Sequence, residues 1–251
     1  MAIFMKDLIE KHFDFRPQFI KKLNGYENIN YLVECDGNRY VFKTYAFDKK
    51  LLDILEAENE VLLAIATEAH TQYPLPLPSK DGKFINVLKI DGKEKICRLL
   101  SFLEGVMHGA IEQSKEQYRS LGSFLAKLDR KLSVSDNYVY RARQWEWDIQ
   151  YLPLNEKYLD DIADPHDRNI VRYFMQQYAQ RVVPQSGNLR KQLIHNDANE
   201  WNILVKENSI TGIIDFGDLA WSFLINEVAV AITYAAYTKE EPLSWSVPVL
   251  Q

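Results

Sequence analysis

The first hundred residues alternate short apolar runs with turn signals. QFIKKLNGYEN leads into INYLVECDGNRYVFKTY, where Asp36 and Gly37 separate two runs rich in β-branched and aromatic residues, the pattern of strands closed by a tight hairpin. KFINVLKI and EKICRLLSF repeat that pattern around Asp91 and Gly92. Between the two pairs, residues 47–69 carry Leu51, Leu52, Leu55, Val61, Leu62 and Ile65 at helical spacing, and the prolines of TQYPLPLPSKDG end the helix. The pattern predicts a small antiparallel sheet of about five strands with one long helix.

Beyond Glu104 and Gly105 the period changes. SKEQYRSLGSFLAKLDRKL, RARQWEWDIQYL and DRNIVRYFMQQYAQRVV all carry the 3.6-residue spacing of helices. No repeat, low-complexity segment or Gly/Ser linker interrupts the chain, so the join near Phe102 to Gly105 is expected to be tight. The predicted class is α+β, with a β-rich lobe over 1–100, a hinge over 101–105 and a mainly helical lobe over 106–251. The most apolar stretch, Leu219 to Tyr237, is interrupted by Asn226 and Glu227, whereas a membrane span needs about 20 residues nearly free of such groups. It predicts a buried helix and no membrane partner. At the start, Lys6, Asp7 and Glu10 fall where a signal peptide needs an unbroken apolar core.

Composition narrows the chemistry. Apolar residues make up 47% and charged residues 26% of the 251, the balance of a folded globular chain. A net charge of −5 leaves no basic footprint for nucleic acid, so a compact or nucleotide substrate fits better. Cys35 and Cys97 form neither a disulfide framework nor a metal-ligand spacing and suit buried thiols in the cytoplasm. His12, His70, His108 and His166 are scattered without a zinc spacing.

The chemistry concentrates in LIHNDANEWNILVKENSITGIIDFGD, residues 193–218. Two apolar runs, Ile203 to Val205 and Ile210 to Ile214, predict strands flanking a turn. Asp197 and Asn202 precede the first and Asp215 follows the second. A hairpin would bring Asn202 and Asp215 to one end, where a carboxamide oxygen and a carboxylate suit Mg²⁺. The spacing His-x-Asp-x₄-Asn, from His195 through Asp197 to Asn202, followed by Asp215-Phe216-Gly217, is that of a kinase-type catalytic loop and its metal-binding turn. In such a loop His195 orients the backbone rather than titrating.

On these residues the chain resembles the aminoglycoside phosphotransferase and choline kinase family, within the protein-kinase-like fold. HNDANEWNILV and IDFGD are most similar to the hydroxylysine kinase branch and to phosphotransferase domains fused to class III aminotransferases. The resemblance implies ATP and Mg²⁺ as cofactors, a small-molecule hydroxyl acceptor as partner, and Asp197 as the group that takes or orients the acceptor's proton. Asn202 and Asp215 would hold the metal. Lys43, in RYVFKTY, would contact the phosphates, with Glu56 as its expected partner on the following helix, Glu60 second and Glu58 turned elsewhere. Backbone groups of Ser101, Phe102 and Leu103 would bind adenine. The turn over residues 23–30, with Gly25 its only glycine, would cover the phosphates.

Two departures bear on activity. Asn196 stands where most such chains have glycine. The resemblance also implies further helices after PLSWSVPVLQ, so a fragment of a longer, multidomain chain is expected. Both leave a nucleotide-binding pseudokinase or regulatory domain as the alternative to a kinase. A scaffold reading requires Trp145, Trp147 and Trp221 on the surface. For the kinase, an acceptor that carries an amine is expected to pair with Glu146, Asp148, Asp160, Asp161 or Asp164, helped by Trp145 or Trp147.

Overall fold

The computed structural model describes residues 2–23, 25, 28–66 and 72–251. The chain divides into two compact units, Met1–Ala110 with Ile203–Lys206 and Thr211–Gly217, and Ile111–Asn202 with Glu207–Ile210 and Asp218–Gln251. The first unit therefore runs past the join expected at 101–105 and takes in strands from the later motif.

Helix α1, Ala2–His12, opens the first unit and was not anticipated as a packed element. Met5, Ile9 and Phe13 repeat every four residues, which puts them on one helical face, and all three are buried against Val33, Phe42, Cys97 and Leu99. The sheet runs β1 Phe19–Lys22, β2 Ile29–Cys35 and β3 Asn38–Ala46, and after helix α2, Lys49–Ala66, it adds β4 Pro76–Leu77, β5 Asn86–Ile90 and β6 Lys93–Ser101. Its order is β1-β2-β3-β6-β4, with β5 also paired to β6. Both hairpins form where their Asp-Gly pairs predicted them. Asp36 and Gly37 adopt φ of 49° and 77°, and Asp91 and Gly92 adopt 51° and 75°, the doubly left-handed turn whose twist matches that of the strands.

Helix α2 covers the opposite face, where Leu51, Leu52 and Leu55 pack with Tyr45, Ile96 and Ile85. Strand β3 is thus covered on both sides from Phe42 to Tyr45. Each fully buried large apolar side chain contributes roughly 1.5–3 kcal/mol, and this double cover is what can hold a charged residue inside the sheet. A second small sheet orders β10 Ser209–Ile213, β9 Ile203–Lys206 and β7 Val106–Met107.

In the second unit, α3 Lys115–Leu132 starts at a capping box, with Ser114 Oγ accepting from Gln117 N at 3.2 Å and Gln117 Oε1 accepting from Ser114 N at 3.0 Å. RARQWEWDIQYL is not one helix. Helix α4, Tyr138–Ala142, stops, and a 3₁₀ segment, Ile149–Asp161, begins after an irregular stretch. Tertiary bonds override the local period: Arg143 donates to the Leu219 carbonyl, Trp145 Nε1 to Asp218, and Asp148 caps the next segment at Gln150 N. Helix α5, Pro165–Gln177, is capped by Asp164.

Strand β8, Lys191–Ile194, pairs antiparallel with β11, Ala220–Phe223. The stretch Leu219 to Tyr237 is therefore a strand followed by α6, Leu224–Ala236, and not the single buried helix expected. The free edge of β8 recruits its first residues. Helix α6 buries Asn226, Glu227, Ala231 and Ala235 on one face while Ile225 is exposed. Helix α7, Pro242–Ser246, leads to a last 3₁₀ turn, Val247–Leu250. Cys35 and Cys97 are buried and unbonded to each other. Among the described residues, no helix is long and apolar enough to cross a membrane.

Candidate functional site

The first unit places Lys43 in the middle of β3 with only 7% of its surface exposed, not on the solvent face where strand lysines usually lie. Its Nζ donates to Asp215 Oδ1 at 3.0 Å. Burial opposes the charge on Lys43, but Tyr45, Asp215 and Glu58 outweigh it and raise the ammonium pKa. Lys43 is a fixed cation at neutral pH. Asp215 follows β10 in a left-handed turn, φ 62°, with its side chain half exposed. Next to it Phe216 is buried edge-on against Tyr73, the ring centroids 6.3 Å apart, which pins the Asp-Phe-Gly turn to the unit's core.

The expected partner of Lys43 is corrected. Glu56 and Glu60 are exposed, whereas Glu58 is 1% exposed and pairs with Arg98 at 2.7 Å. The spacing of α2 explains why: Leu51, Leu55, Glu58, Leu62 and Ile65 repeat at four and three residues, so Glu58 belongs to the buried stripe. That signal was present in the sequence. Arg98 was missed as well, although a charge inside the apolar run Ile96 to Leu100 demands a buried partner.

Leu23 N, on one side of Gly25 in the sequence, donates to Asn30 O, on the other, at 2.8 Å. A Cβ on Gly25 would sit 2.6 Å from the Asn28 carbonyl, so only glycine fits. Asn24, Tyr26 and Glu27 of the expected phosphate-covering turn lie outside the described residues, as does His70. At the proposed adenine segment, the Ser101 N–H is engaged by the Leu75 carbonyl and the Phe102 N–H by the Arg39 carbonyl. Among the backbone groups expected there, the N–H groups of Ser101 and Phe102 are thus engaged within the first unit.

In the second unit, residues 195–202 connect β8 to the strand that follows. His195 is fully buried, and its Nδ1 accepts from Asp197 N at 3.3 Å, a contact that orients backbone. Asp197 is held from both sides: Asn199 Nδ2 donates to both carboxylate oxygens at 2.9 Å, and Asn202 Nδ2 donates to Oδ2 at 2.7 Å and to the Asp197 carbonyl at 3.0 Å. With both amide hydrogens of Asn202 turned to Asp197, the atom it can offer a cation is Oδ1. Asn196 takes φ 69°, the left-handed conformation that glycine adopts freely and asparagine tolerates best among the rest.

Behind this loop stands Glu227, which the sequence marked only as an interruption of an apolar run. Its Oε2 accepts from the backbone N–H of His195 at 2.6 Å and of Asn196 at 3.1 Å. Burial, and next the charge of Asp129, push its pKa up to about 8. Burial likewise raises Asp129, to about 7. Glu227 Oε1 and Asp129 Oδ1 are both buried with no hydrogen-bond partner.

The acidic residues expected to face an ammonium have other duties. Glu146 accepts from Lys157 and Tyr158, Asp148 is buried and accepts from Ser222 and Gln150, and Asp164 caps α5. Asp160 lies beside Arg168, and Asp161 is exposed. Trp145 is covered by Arg143, 4.1 Å from its ring centre, and Trp221 by Arg141 at 3.9 Å; Trp147 is 68% exposed. Other carboxylates act on the Tyr234 hydroxyl. Burial first, then Asp197, Glu200 and Asp218 together, raise the Tyr234 hydroxyl pKa.

Residues 20–250 match the family model described as "Phosphotransferase enzyme family". Hydroxylysine kinase of Mus musculus is 24% identical over 261 residues, spanning 94% of this chain and 69% of that protein. Homoserine kinase of Zymomonas mobilis is 28% identical over 230 residues, spanning 85% and 62%. A microcompartment-associated aminopropanol kinase has the same fold, with TM-score 0.78 and 19% identity over 98% of this chain and 78% of that one.

Proposed function

We propose, for a chain that belongs to the phosphotransferase enzyme family and is a small-molecule kinase using ATP, that its acceptor is a hydroxyl compound that also carries an amine. The names of the relatives support this, since hydroxylysine, homoserine and aminopropanol each bear both groups. The observation that carries the reading is Asp197, whose carboxylate is fixed by Asn199 and Asn202. A carboxylate so oriented takes the proton of an attacking hydroxyl, while Lys43 steadies the phosphates; positioning and electrostatics do most of the catalysis. We assign the ammonium to Glu200 and Asp218, whose charges act with that of Asp197 on Tyr234; Asp218 also accepts from Trp145 Nε1. Adenine is assigned to the backbone at Leu103.

Mg²⁺ is the cation we assign. Among the described residues no cluster of three or more His, Cys, Asp or Glu could cage a metal. Mg²⁺ is usually bound by one or two protein oxygens together with substrate phosphates. Asp215 in the first unit and Asn202 in the second each carry a hard oxygen, and a bound ion would neutralise phosphate charge. The buried free thiols support a cytoplasmic location.

The test is a panel of acceptors with ATP and Mg²⁺: hydroxylated amino acids, amino alcohols and neutral polyols of matched size. The reading expects phosphate on the amine-bearing members, with Glu200→Gln and Asp218→Asn raising their KM. Faster phosphorylation of a neutral polyol would transfer the assignment to uncharged alcohols.

A further inference from the structure

Lys43 and Arg98 stand directly opposite each other in the β3–β6 register, so both side chains rise from the same face of the sheet. Both are buried, Lys43 at 7% and Arg98 at 1% exposure. Two facing buried cations repel, and the arrangement persists because two carboxylates answer them: Glu58 on Arg98 and Asp215 on Lys43.

Arg98 is immobilised. Its Nε and Nη2 donate to the Tyr45 hydroxyl at 3.1 and 2.9 Å, Nη1 to Asn59 Oδ1 at 3.2 Å, and Nη2 to Glu58 Oε1 at 2.7 Å. Glu58 Oε2 is buried without a hydrogen-bond partner. Glu58 also acts on Lys43 through space, yet the lysine's bond goes to Asp215. The carboxylate of Glu58 on α2 is held by Arg98.

We propose that Arg98 is a positioning residue of the nucleotide site: by engaging Glu58 and balancing its charge, it leaves Lys43 to Asp215 and to the phosphates of ATP. The inference rests on the reading of Lys43 as the phosphate-binding lysine. Lys43, Arg98, Glu58 and Asp215 sum to zero charge. Removing Arg98 leaves the group at −1, with Glu58 buried and unanswered and Lys43 its nearest cation. Glu58 then draws Lys43 from Asp215, and the excess negative charge repels phosphate. Removing the Glu58 charge as well returns the sum to zero.

Calorimetric titration of the full chain with a non-hydrolysable ATP analogue and Mg²⁺ tests this in five variants. Arg98→Met should weaken binding at least ~10-fold, a change of the size that one unbalanced buried charge produces. Arg98→Met with Glu58→Gln should regain most of the loss, and Arg98→Lys should keep affinity near that of the parent. A merely structural arginine predicts the opposite, because the double variant removes more of the network and binds more weakly than Arg98→Met. That result, or parental affinity in Arg98→Met, overturns the proposal. Lys43→Ala separates the two claims: weak binding there with tight binding in Arg98→Met removes this inference alone, while tight binding in Lys43→Ala removes the assignment of Lys43. Should Arg98→Met not fold, Glu58→Gln alone decides between the two, since the added positive balance must leave affinity equal or higher and a loss contradicts the proposal.

Discussion

Asn196 shows how a single backbone angle decides what a substitution costs. Its φ of 69° suits glycine without strain, and its side chain donates to the Trp147 carbonyl at 3.2 Å. Asn196→Gly is therefore expected to keep kcat within about threefold, while Asn196→Ala should lose about 1–2 kcal/mol of stability from the left-handed angle and the lost bond. Thermal melts and steady-state kinetics check both; an alanine variant as stable as the parent would show that the angle relaxes. At this scale the motif residues were legible because their spacing is fixed by chemistry: His195, Asp197 and Asn202 sit in one loop and bond to one another. Glu58 and Arg98 were less so. The burial of each was readable from its local pattern, but not their pairing, because the two lie far apart in sequence on α2 and β6.

Among the elements, α3 bears two features that the local period does not announce. One is Gly122, where a Cβ would collide with the Val249 carbonyl of the C-terminal 3₁₀ turn. Gly122→Ala should cost about 1–3 kcal/mol, the usual penalty of overfilling a packed contact against backbone. An unchanged melting temperature would mean that Val247–Leu250 does not rest on α3. The other is Asp129, whose charge acts on Glu227 of α6. Both carboxyls hold their proton in the folded state well above their ordinary values of 3.8 and 4.5, with Asp129 raised to about 7 and Glu227 to about 8. The unfolded chain releases those protons first, so the stabilising effect is complete below about pH 4 and is lost as pH rises toward 8. Melting temperatures between pH 4.5 and 8.5 should fall on the alkaline side, and Asp129→Asn should flatten the slope. A variant with the parental slope would exclude the pair as its source. Helices α3 and α5 were legible from period alone, while RARQWEWDIQYL and Leu219 to Tyr237 were not, because the Asp218 and β8 contacts that reshape them are tertiary.

Taken whole, the chain's class was legible in the change of period near residue 105, and its chemistry in one segment of 26 residues, 193–218. What stayed hidden was how the chain distributes itself, since β9 and part of β10 join the first unit while their flanks belong to the second. Contacts of that kind leave no periodic trace. The kinase account stands or falls on Asp197, and Asp197→Asn is the direct test, because the amide keeps the shape and loses the proton acceptor. Transfer of labelled γ-phosphate from ATP to a hydroxylated amino acid should drop at least ~10²-fold, the contribution of a positioned base, with affinity for an ATP analogue and melting temperature retained. Turnover close to the parent's in that variant would contradict the assignment of Asp197 and, with it, the mechanism.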